Sequence, residues 1–167
     1  MKRDIYFMTE NGVWVIDNKK EAKLLRKKTA DFDFKKYSKK DTQEMIKKMR
    51  AIMKKANGIG LSANQIGLDL NVFVAQAEGK FYSIFNPKII KFSEEFSELE
   101  EGCLSVPEVF GNVARPAKVI LEGFDKNGKK IKIKAWALLA RIFQHETDHL
   151  NGKLFIDKAN DLRKYEI

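Results

Sequence analysis

The sequence has one cysteine, two histidines and three prolines among its 167 residues. A single cysteine excludes a disulfide within the chain and is typical of proteins from a reducing compartment. No run approaches the roughly 18 apolar residues that a membrane-spanning helix needs. The first residues, Met1–Glu10, also lack the apolar core of a secretory signal. We therefore expect a cytoplasmic protein with no membrane partner.

The length and the hydrophobic fraction of 44% suit one soluble domain with a single core. We predict one domain over residues 1–167, with an N-terminal hairpin extension at 1–20 and a short polar tail at 158–167. The hairpin prediction covers residues 5–16 and depends on Asn11-Gly12 between two apolar runs.

The net charge of +9 is confined to the N-terminal third. Residues 1–57 hold 17 Lys and Arg against 8 Asp and Glu, whereas residues 58–167 hold 15 of each. Most of these lysines fall in pairs, without the interleaved aromatic residues that stack nucleic-acid bases. A solvated surface explains them best, and a weak attraction to a polyanion such as RNA stays open.

Apolar spacing predicts two helices that flank a region of strands. The first helix has Asp41 as its N-cap, with Glu44 three residues later, and ends at Asn57-Gly58. The second covers residues 135–150. Between them we predict strands at 71–76, 81–85, 88–92, 119–124 and 131–133, with Asn86-Pro87 ending the second. This order indicates an α+β protein rather than alternating βαβ units.

The second helix carries both histidines of the chain. His145 and His149 stand four residues apart and share one helix face, so both imidazoles can reach one metal ion. Glu146 lies beside that face and could handle a proton of a metal-activated water. The predicted fold is therefore a single domain of antiparallel sheets packed around a central metal-binding helix, with another helix near the N-terminus.

A catalytic metal site usually has three protein ligands and one open position. No histidine follows His149, and the downstream acids lie in the short polar tail. Cys103 is the strong remaining candidate, because Gly102 lets the chain turn tightly beside it.

Two other classes of function stay open on these residues alone. A His-Glu-x-x-His metallopeptidase would cleave internal peptide bonds, but its usual downstream third ligand is missing. The other class is a structural metal domain or an RNA-binding module. A closed structural metal site has four protein ligands, so this chain would need a carboxylate beside its cysteine and two histidines.

Three stretches together resemble the signature motifs of the peptide deformylase family. They are Gly58–Gln65 (GIGLSANQ), Glu101–Ser105 (EGCLS) and His145–His149 (HETDH). The second and third match the family pattern at every defined position, whereas Ser62 stands where the family usually has alanine. The resemblance covers roughly residues 20–157 and accounts at once for the only cysteine and both histidines.

The resemblance implies hydrolysis of the formyl group from the N-terminal formylmethionine of newly made polypeptides, which releases formate. Cys103, His145 and His149 would hold one divalent metal ion, Fe²⁺ physiologically, with Zn²⁺, Ni²⁺ or Co²⁺ as substitutes. The implied partners are N-formylmethionyl nascent peptides. We also expect at most a weak association with the ribosome through the basic N-terminal third, and no specific nucleic acid.

The resemblance also assigns the acid–base and oxyanion groups. Glu146 would take a proton from water and pass it to the departing amine. The side-chain amide of Gln65 and the backbone N–H of Leu104 would stabilise the tetrahedral oxyanion.

Substrate contacts follow from the same comparison. Backbone groups of Ile59, Gly60 and Gly102 would hold the peptide as an added strand. Ile59 and Ile142 would line the methionine pocket, and Arg141 stands where some members have an apolar residue.

Three charged residues are expected to support the ligands. Glu101 and Arg115 resemble the ion pair of the family, and Asp148 would accept a hydrogen bond that orients a ligand.

Overall fold

The computed structural model describes residues 12–165. This part of the chain forms three α-helices, α1 (Lys19–Leu25), α2 (Lys39–Lys55) and α3 (Ala137–Leu150), and 3₁₀ turns at Ala63–Ile66 and Phe155–Asp157. Its strands are β1 (Gly60–Ser62), β2 (Val72–Ala77), β3 (Lys80–Phe92), β4 (Phe96–Cys103), β5 (Val106–Pro116), β6 (Lys118–Phe124), β7 (Lys130–Trp136) and β8 (Asn160–Lys164).

The strands form two antiparallel sheets. The larger has the order β1-β2-β3-β6-β7 and the smaller has the order β4-β5-β8. This architecture confirms the predicted α+β class. Within residues 12–165 no helix combines the length and the apolar character that crossing a membrane requires.

The larger sheet is covered on both faces, which explains the apolar run of residues 72–75 in β2. Val72 and Val74 face one side and join the core cluster that contains Met49 of α2. Phe73 faces the other side and joins the cluster that contains Phe143 of α3. Because side chains alternate along a strand, burial of both faces produces a continuous apolar run. The methionine stripe of α2, formed by Met45, Met49 and Met53, faces this core.

Helix α3 lies where the sequence placed it. The predicted span of residues 135–150 differs from the observed Ala137–Leu150 by two residues at its start. Its apolar side packs on the larger sheet, and it also contacts β5 of the smaller sheet. The metal motif therefore sits between the two sheets.

The strands predicted at 71–76 and 81–85 pair as one hairpin of the larger sheet, and those at 119–124 and 131–133 pair as another. Glu78 and Gly79 have φ values of 51° and 74° and join β2 to β3. Positive φ at both central residues matches the twist of the flanking strands. The β6–β7 hairpin also pairs as expected, from Lys118↔Trp136 to Phe124↔Lys130.

The prediction that Asn86-Pro87 ends a strand is wrong. β3 continues through them to Phe92, and its register against β6 shifts between Phe85 and Lys88. Asn86 has a φ of 48°, and its side chain bonds to the backbone of Phe32. A bulge accommodates the proline because the ladder there already lacks regular pairing.

The smaller sheet contains strands that the sequence did not predict. Half of the residues of β4 and all five residues of β8 are exposed, and buried and exposed residues are mixed along β5. Residues 160–164 of the expected polar tail therefore form an edge strand. An edge strand exposed on both faces has no apolar alternation from which to predict it.

The predicted N-terminal hairpin lies mainly outside the described residues. Its described part, residues 12–16, belongs to no strand in the structure. Instead, the N–H of Trp14 donates to the carbonyl of Gln65 (2.7 Å), and that of Ile16 donates to the carbonyl of Ser105 (2.9 Å).

The N-cap of α2 is Ser38 rather than the predicted Asp41. The Ser38 hydroxyl accepts from the Asp41 N–H (3.1 Å), and the Asp41 carboxylate accepts from the Ser38 N–H (3.2 Å). This is a capping box that begins three residues earlier than expected.

Replacing Ser38 with alanine should lower the free energy of unfolding by about 1 kcal/mol, because an N-terminal donor of the helix loses its acceptor. The control is Glu44→Ala, because Glu44 was paired with Asp41 in the predicted cap. This change should alter the free energy of unfolding by less than about 0.5 kcal/mol. Urea denaturation of both variants measures the difference. A larger loss in Glu44→Ala would contradict the observed cap.

Candidate metal centre and cleft

The helix α3 presents its metal motif toward the smaller sheet. His149 is 1% exposed and Glu146 is 3% exposed, whereas His145 is half-buried. The ring centroids of the two histidines are 5.0 Å apart, as expected for positions i and i+4 on one face.

Cys103 ends β4 and faces this pair of rings. Its Sγ lies 3.1 Å from Nε2 of His149, and one ligand atom each from Cys103, His145 and His149 lie within 4.8 Å of one another. A register shift between Gly102 and Cys103 marks the turn that carries the sulfur to the helix. The structure therefore brings together all three residues that the sequence selected as ligands.

The chemistry of this group fits one divalent metal ion. A thiolate and two imidazoles are ligands that zinc and iron accept, at bond lengths of about 2.0–2.3 Å for zinc. Burial lowers the pKa of His149 well below its ordinary value, so its imidazole is neutral, as a ligand must be.

His145 lies between Cys103 and the carboxylate of Glu101. Burial alone would lower its pKa, but hydrogen bonds with Cys103 and Glu101 raise it to about 10. The surroundings of this ring therefore favour a positive charge, and a bound cation would supply that charge in place of the proton.

Glu146 is held close to the first motif. Its Oε2 accepts a 2.6 Å hydrogen bond from the hydroxyl of Ser62, and a methyl group on Gly60 would overlap its Oε1. Burial raises the pKa of Glu146, although the nearby His145 partly opposes that shift. A side chain at position 60 would therefore displace this carboxylate from its place beside the backbone.

The side chain of Gln65 is oriented by two hydrogen bonds. Its Oε1 accepts from the Ser62 N–H (2.9 Å), and its Nε2 donates to Ser105 Oγ (3.1 Å) and lies 3.8 Å from Cys103 Sγ. The amide N–H groups therefore face the sulfur. Leu104 follows Cys103 in the same turn.

A cleft of about 590 Å³ opens onto these groups. It is lined by all four residues that the sequence predicted for substrate binding, namely Ile59, Gly60, Gly102 and Ile142. Ile142 is buried, whereas Ile59 is 50% exposed at the rim. Phe110 and Leu138 also line the cleft, and the sequence did not indicate them, because each is an exposed apolar residue in an element whose partner was unknown.

Glu101 is the centre of a buried ionic network. Arg115 donates to both of its oxygens, at 2.6 and 3.0 Å, and the side chains are 3% and 5% exposed. Nδ1 of His145 lies 3.0 Å from Glu101 Oε2. The predicted pair of Glu101 and Arg115 is therefore present, and it reaches a ligand ring directly.

Asp148 and Arg141 flank this network, and the contacts of Asp148 correct one expectation. Asp148 accepts from Arg115 (2.8 Å) and Lys158, while Glu101 takes the position beside a ligand ring that we expected for Asp148. Arg141 lines the cleft, but its guanidinium donates to Glu101 (2.6 Å). The sequence did contain a sign of this contact, because Arg141 is a charged residue within an apolar helix face and a buried cation requires a partner.

The network fixes the ionisation of Glu101. Burial alone would raise its pKa, but hydrogen bonds from His145 and Arg115 lower it well below its usual range. The pKa of Arg115 is raised, because the bonds to Glu101 and Asp148 outweigh the effect of its burial. The carboxylate therefore stays charged throughout the neutral range.

Replacing Glu101 with glutamine should lower the free energy of unfolding by about 3–5 kcal/mol, because buried arginines lose their counter-charge. Urea denaturation at pH 7 measures the loss. The matched control is Glu100→Gln, whose exposed carboxylate lies 3.3 Å from Arg163 and whose loss should cost less than about 0.5 kcal/mol.

The pH dependence of this loss has a definite sign. Because the folded pKa is depressed, the contribution of Glu101 is complete above its ordinary pKa of about 4.3 and is lost as the pH falls toward the folded value. The difference between wild type and Glu101→Gln should therefore narrow below about pH 4.3. A difference that widened with acid would contradict this account.

Fold and site together define a class, that of α+β proteins with a His-Glu-x-x-His helix and a cysteine at one metal site. The family model described as polypeptide deformylase matches residues 15–165. The chain belongs to this family, and the resemblance noted in the sequence is confirmed.

Relatives and solved structures agree with this membership. A peptide deformylase of Borreliella burgdorferi is 45% identical over 128 residues, which cover 75% of this chain and 77% of that protein. One of Treponema pallidum is 43% identical over 95 residues, 57% of this chain and 59% of that protein. The chain thus spans less than two thirds of the length of several curated relatives that it matches.

The fold matches solved members of the family. The crystal structure of a peptide deformylase from Thermotoga maritima has a TM-score of 0.80 at 30% identity, covering 89% of this chain and 96% of that one. A peptide deformylase from Synechococcus elongatus in complex with actinonin has a TM-score of 0.80 at 33% identity, covering 89% and 78%.

Proposed function

We propose that this chain is a metal-dependent hydrolase that removes the formyl group from the N-terminal formylmethionine of newly made polypeptides. The observation that carries the proposal is the meeting of Cys103, His145 and His149 within 4.8 Å, where Cys103 and His145 line one cleft together with Glu146 and Gln65. We infer that the chain acts as one catalytic domain, and the family match over residues 15–165 supports this.

Cys103, His145 and His149 would hold the metal ion and leave one position open, as catalytic sites do. The bound ion would supply Lewis acidity, which lowers the pKa of water toward neutrality. We propose Fe²⁺ as the physiological ion, with Zn²⁺, Ni²⁺ or Co²⁺ able to replace it. The thiolate of Cys103 is the oxidisable member of this set.

Glu146 would act first as general base and then as general acid. Its carboxylate would accept a proton from the attacking water and later deliver it to the amine that leaves the formyl carbon. Burial beside the ligand rings supports this assignment, because it brings the pKa of the carboxyl closer to the pH at which the protein works.

Gln65 and Leu104 would stabilise the oxyanion that forms when water attacks the formyl carbon. The Gln65 Nε2 already faces the sulfur side of the cleft, because Ser62 and Ser105 fix its amide. The turn after Cys103 carries the Leu104 N–H. Donors fixed in advance cost no reorganisation during the reaction.

The peptide would bind as an added strand between the two sheets. Among residues 12–165, β1 is an edge strand of the larger sheet and β4 is an edge strand of the smaller one, so Gly60 and Gly102 lie on strand edges beside the cleft. Backbone pairing there would read the main chain rather than the sequence. Ile142 and Ile59 would contact the methionine side chain.

Glu101, Arg115 and Asp148 would act behind the ligands. Glu101 would hold the His145 ring through Nδ1, and Arg115 would link Glu101 to Asp148. Such partners fix the orientation of a ligand ring and raise its basicity.

We further propose that the protein acts in the cytoplasm, where formylated nascent chains arise. The exposed lysines of α2 support a weak electrostatic association with the ribosome, because they carry much of the positive charge of the N-terminal third.

The test is hydrolysis of formyl-Met-Ala-Ser, with formate and formylmethionine measured separately. The metal-loaded protein should release formate without formylmethionine, whereas a metallopeptidase cleaving the Met–Ala bond would release formylmethionine. Glu146→Gln should retain the metal and lower kcat about 10²–10⁴-fold, because it cannot accept the proton. Near-normal turnover of this variant would refute the acid–base assignment.

Replacing Cys103 with serine should weaken metal affinity by more than about 100-fold, the upper end for residues that only support a ligand. Metal content after gel filtration, measured by atomic emission, tests this directly. Glu146→Gln is the matched control, since it alters the same cleft but no proposed ligand. Equal metal content in all three proteins would remove Cys103 from the ligand set.

A further inference from the structure

Ser62 differs from its neighbours in the first motif, because it carries a hydroxyl where the family usually has alanine. The side chain is fully buried at the junction of β1 and the 3₁₀ turn Ala63–Ile66. Burying a hydroxyl without a partner is costly, so its hydrogen bonds indicate what it contributes.

The Ser62 hydroxyl has two acceptors in reach, and both belong to Glu146. Its Oγ lies 2.6 Å from Glu146 Oε2 and 3.1 Å from the Glu146 carbonyl oxygen. A hydroxyl has one proton to donate. The shorter distance is typical of a hydrogen bond to a charged oxygen, so the proton is assigned to the carboxylate.

This bond holds one oxygen of the carboxylate and leaves the other in the cleft. Oε2 is bound by Ser62, while Oε1 lies against the backbone of Gly60. A glutamate side chain has several rotatable bonds, and fixing them before the reaction removes an entropic cost from the chemical step.

The same residue also orients the amide of Gln65. The backbone N–H of Ser62 donates to Gln65 Oε1 at 2.9 Å, which turns Nε2 toward Cys103. Any amino acid at position 62 retains this backbone bond. Substituting the side chain therefore isolates the effect of the hydroxyl on Glu146.

We propose that Ser62 is a positioning residue, whose hydroxyl holds the Glu146 carboxylate in its working orientation while its backbone orients Gln65. The inference rests on the proposed deformylase function for its kinetic part. It adds an element that an alanine at this position cannot supply.

Ser62→Ala should lower kcat about tenfold and change KM by less than about twofold, because the lost bond supports the chemical step rather than peptide binding. The matched control is Thr42→Val in α2, which removes a buried hydroxyl bonded to the Ser38 carbonyl. Thr42 is not among the residues that line the cleft. It should leave both constants unchanged. Metal content is measured in each protein, so that a loss of loading is not taken for a loss of turnover.

The double variant Ser62→Ala/Glu146→Gln distinguishes a positioning role of Ser62 from a merely structural one. If Ser62 acts through that carboxylate, Ser62→Ala should cause almost no further loss in the Glu146→Gln background. A full additional tenfold loss there, or wild-type kcat in the single variant, would overturn the proposal.

A crystal structure of Ser62→Ala provides a readout that does not depend on activity. The Glu146 carboxylate should leave its position beside Gly60 or occupy more than one rotamer. If the wild type releases no formate, the proposed function fails, and this structure still decides the positioning proposal. An unchanged, single Glu146 rotamer would refute it.

Discussion

The site depends on the ionic hydrogen bonds of one buried carboxylate, that of Glu101. It belongs to β4, and it accepts from Arg115 of β5 and from Arg141 of α3. Leaving a charge unpaired in a protein interior costs several kcal/mol. The position of the small sheet against α3 is therefore restricted to arrangements in which both guanidinium groups reach this one carboxylate.

Arg141 extends this restriction to both strands of the β4–β5 hairpin. Besides Glu101, it donates to the carbonyl of Ser97 in β4 (2.6 Å) and to that of Val113 in β5 (2.9 Å). The small sheet has its own apolar cluster, separate from the cores of the larger sheet. Polar bonds from the helix consequently do much to set the distance between Cys103 on the hairpin and His149 on the helix.

Local sequence patterns were enough for the elements that bury an apolar face. The helix α3, the methionine stripe of α2 and the tight turn at Glu78-Gly79 all follow from spacing and turn chemistry, and the ligand set followed from the scarcity of cysteine and histidine. β4 and β8 left no such pattern, because β8 is exposed at every residue and the one buried side chain of β4 is the charged Glu101. Their pairing depends on long-range contacts that a local pattern cannot encode.

The partners of Arg141 and Asp148 could not be predicted for the same physical reason. Arg141 lies 40 residues from Glu101 in sequence, so its side chain could be assigned to the cleft wall but not to its partner. Asp148 has the residue type and the position expected of an acceptor for a ligand ring. Only the folded chain shows that Glu101 reaches the ring first and that Asp148 bonds to Arg115 behind it.

The two glutamates of the site illustrate how surroundings separate groups of the same type. Both are buried, and burial raises the pKa of each. Around Glu101 the hydrogen bonds from His145 and Arg115 outweigh burial and keep it ionised, whereas around Glu146 burial prevails over His145 and the Ser62 hydroxyl. Pairs of carboxyl groups whose pKa values are moved apart in this way are typical of sites that divide proton transfer from charge stabilisation. The structure therefore supports Glu146, and not Glu101, as the group that exchanges a proton with substrate.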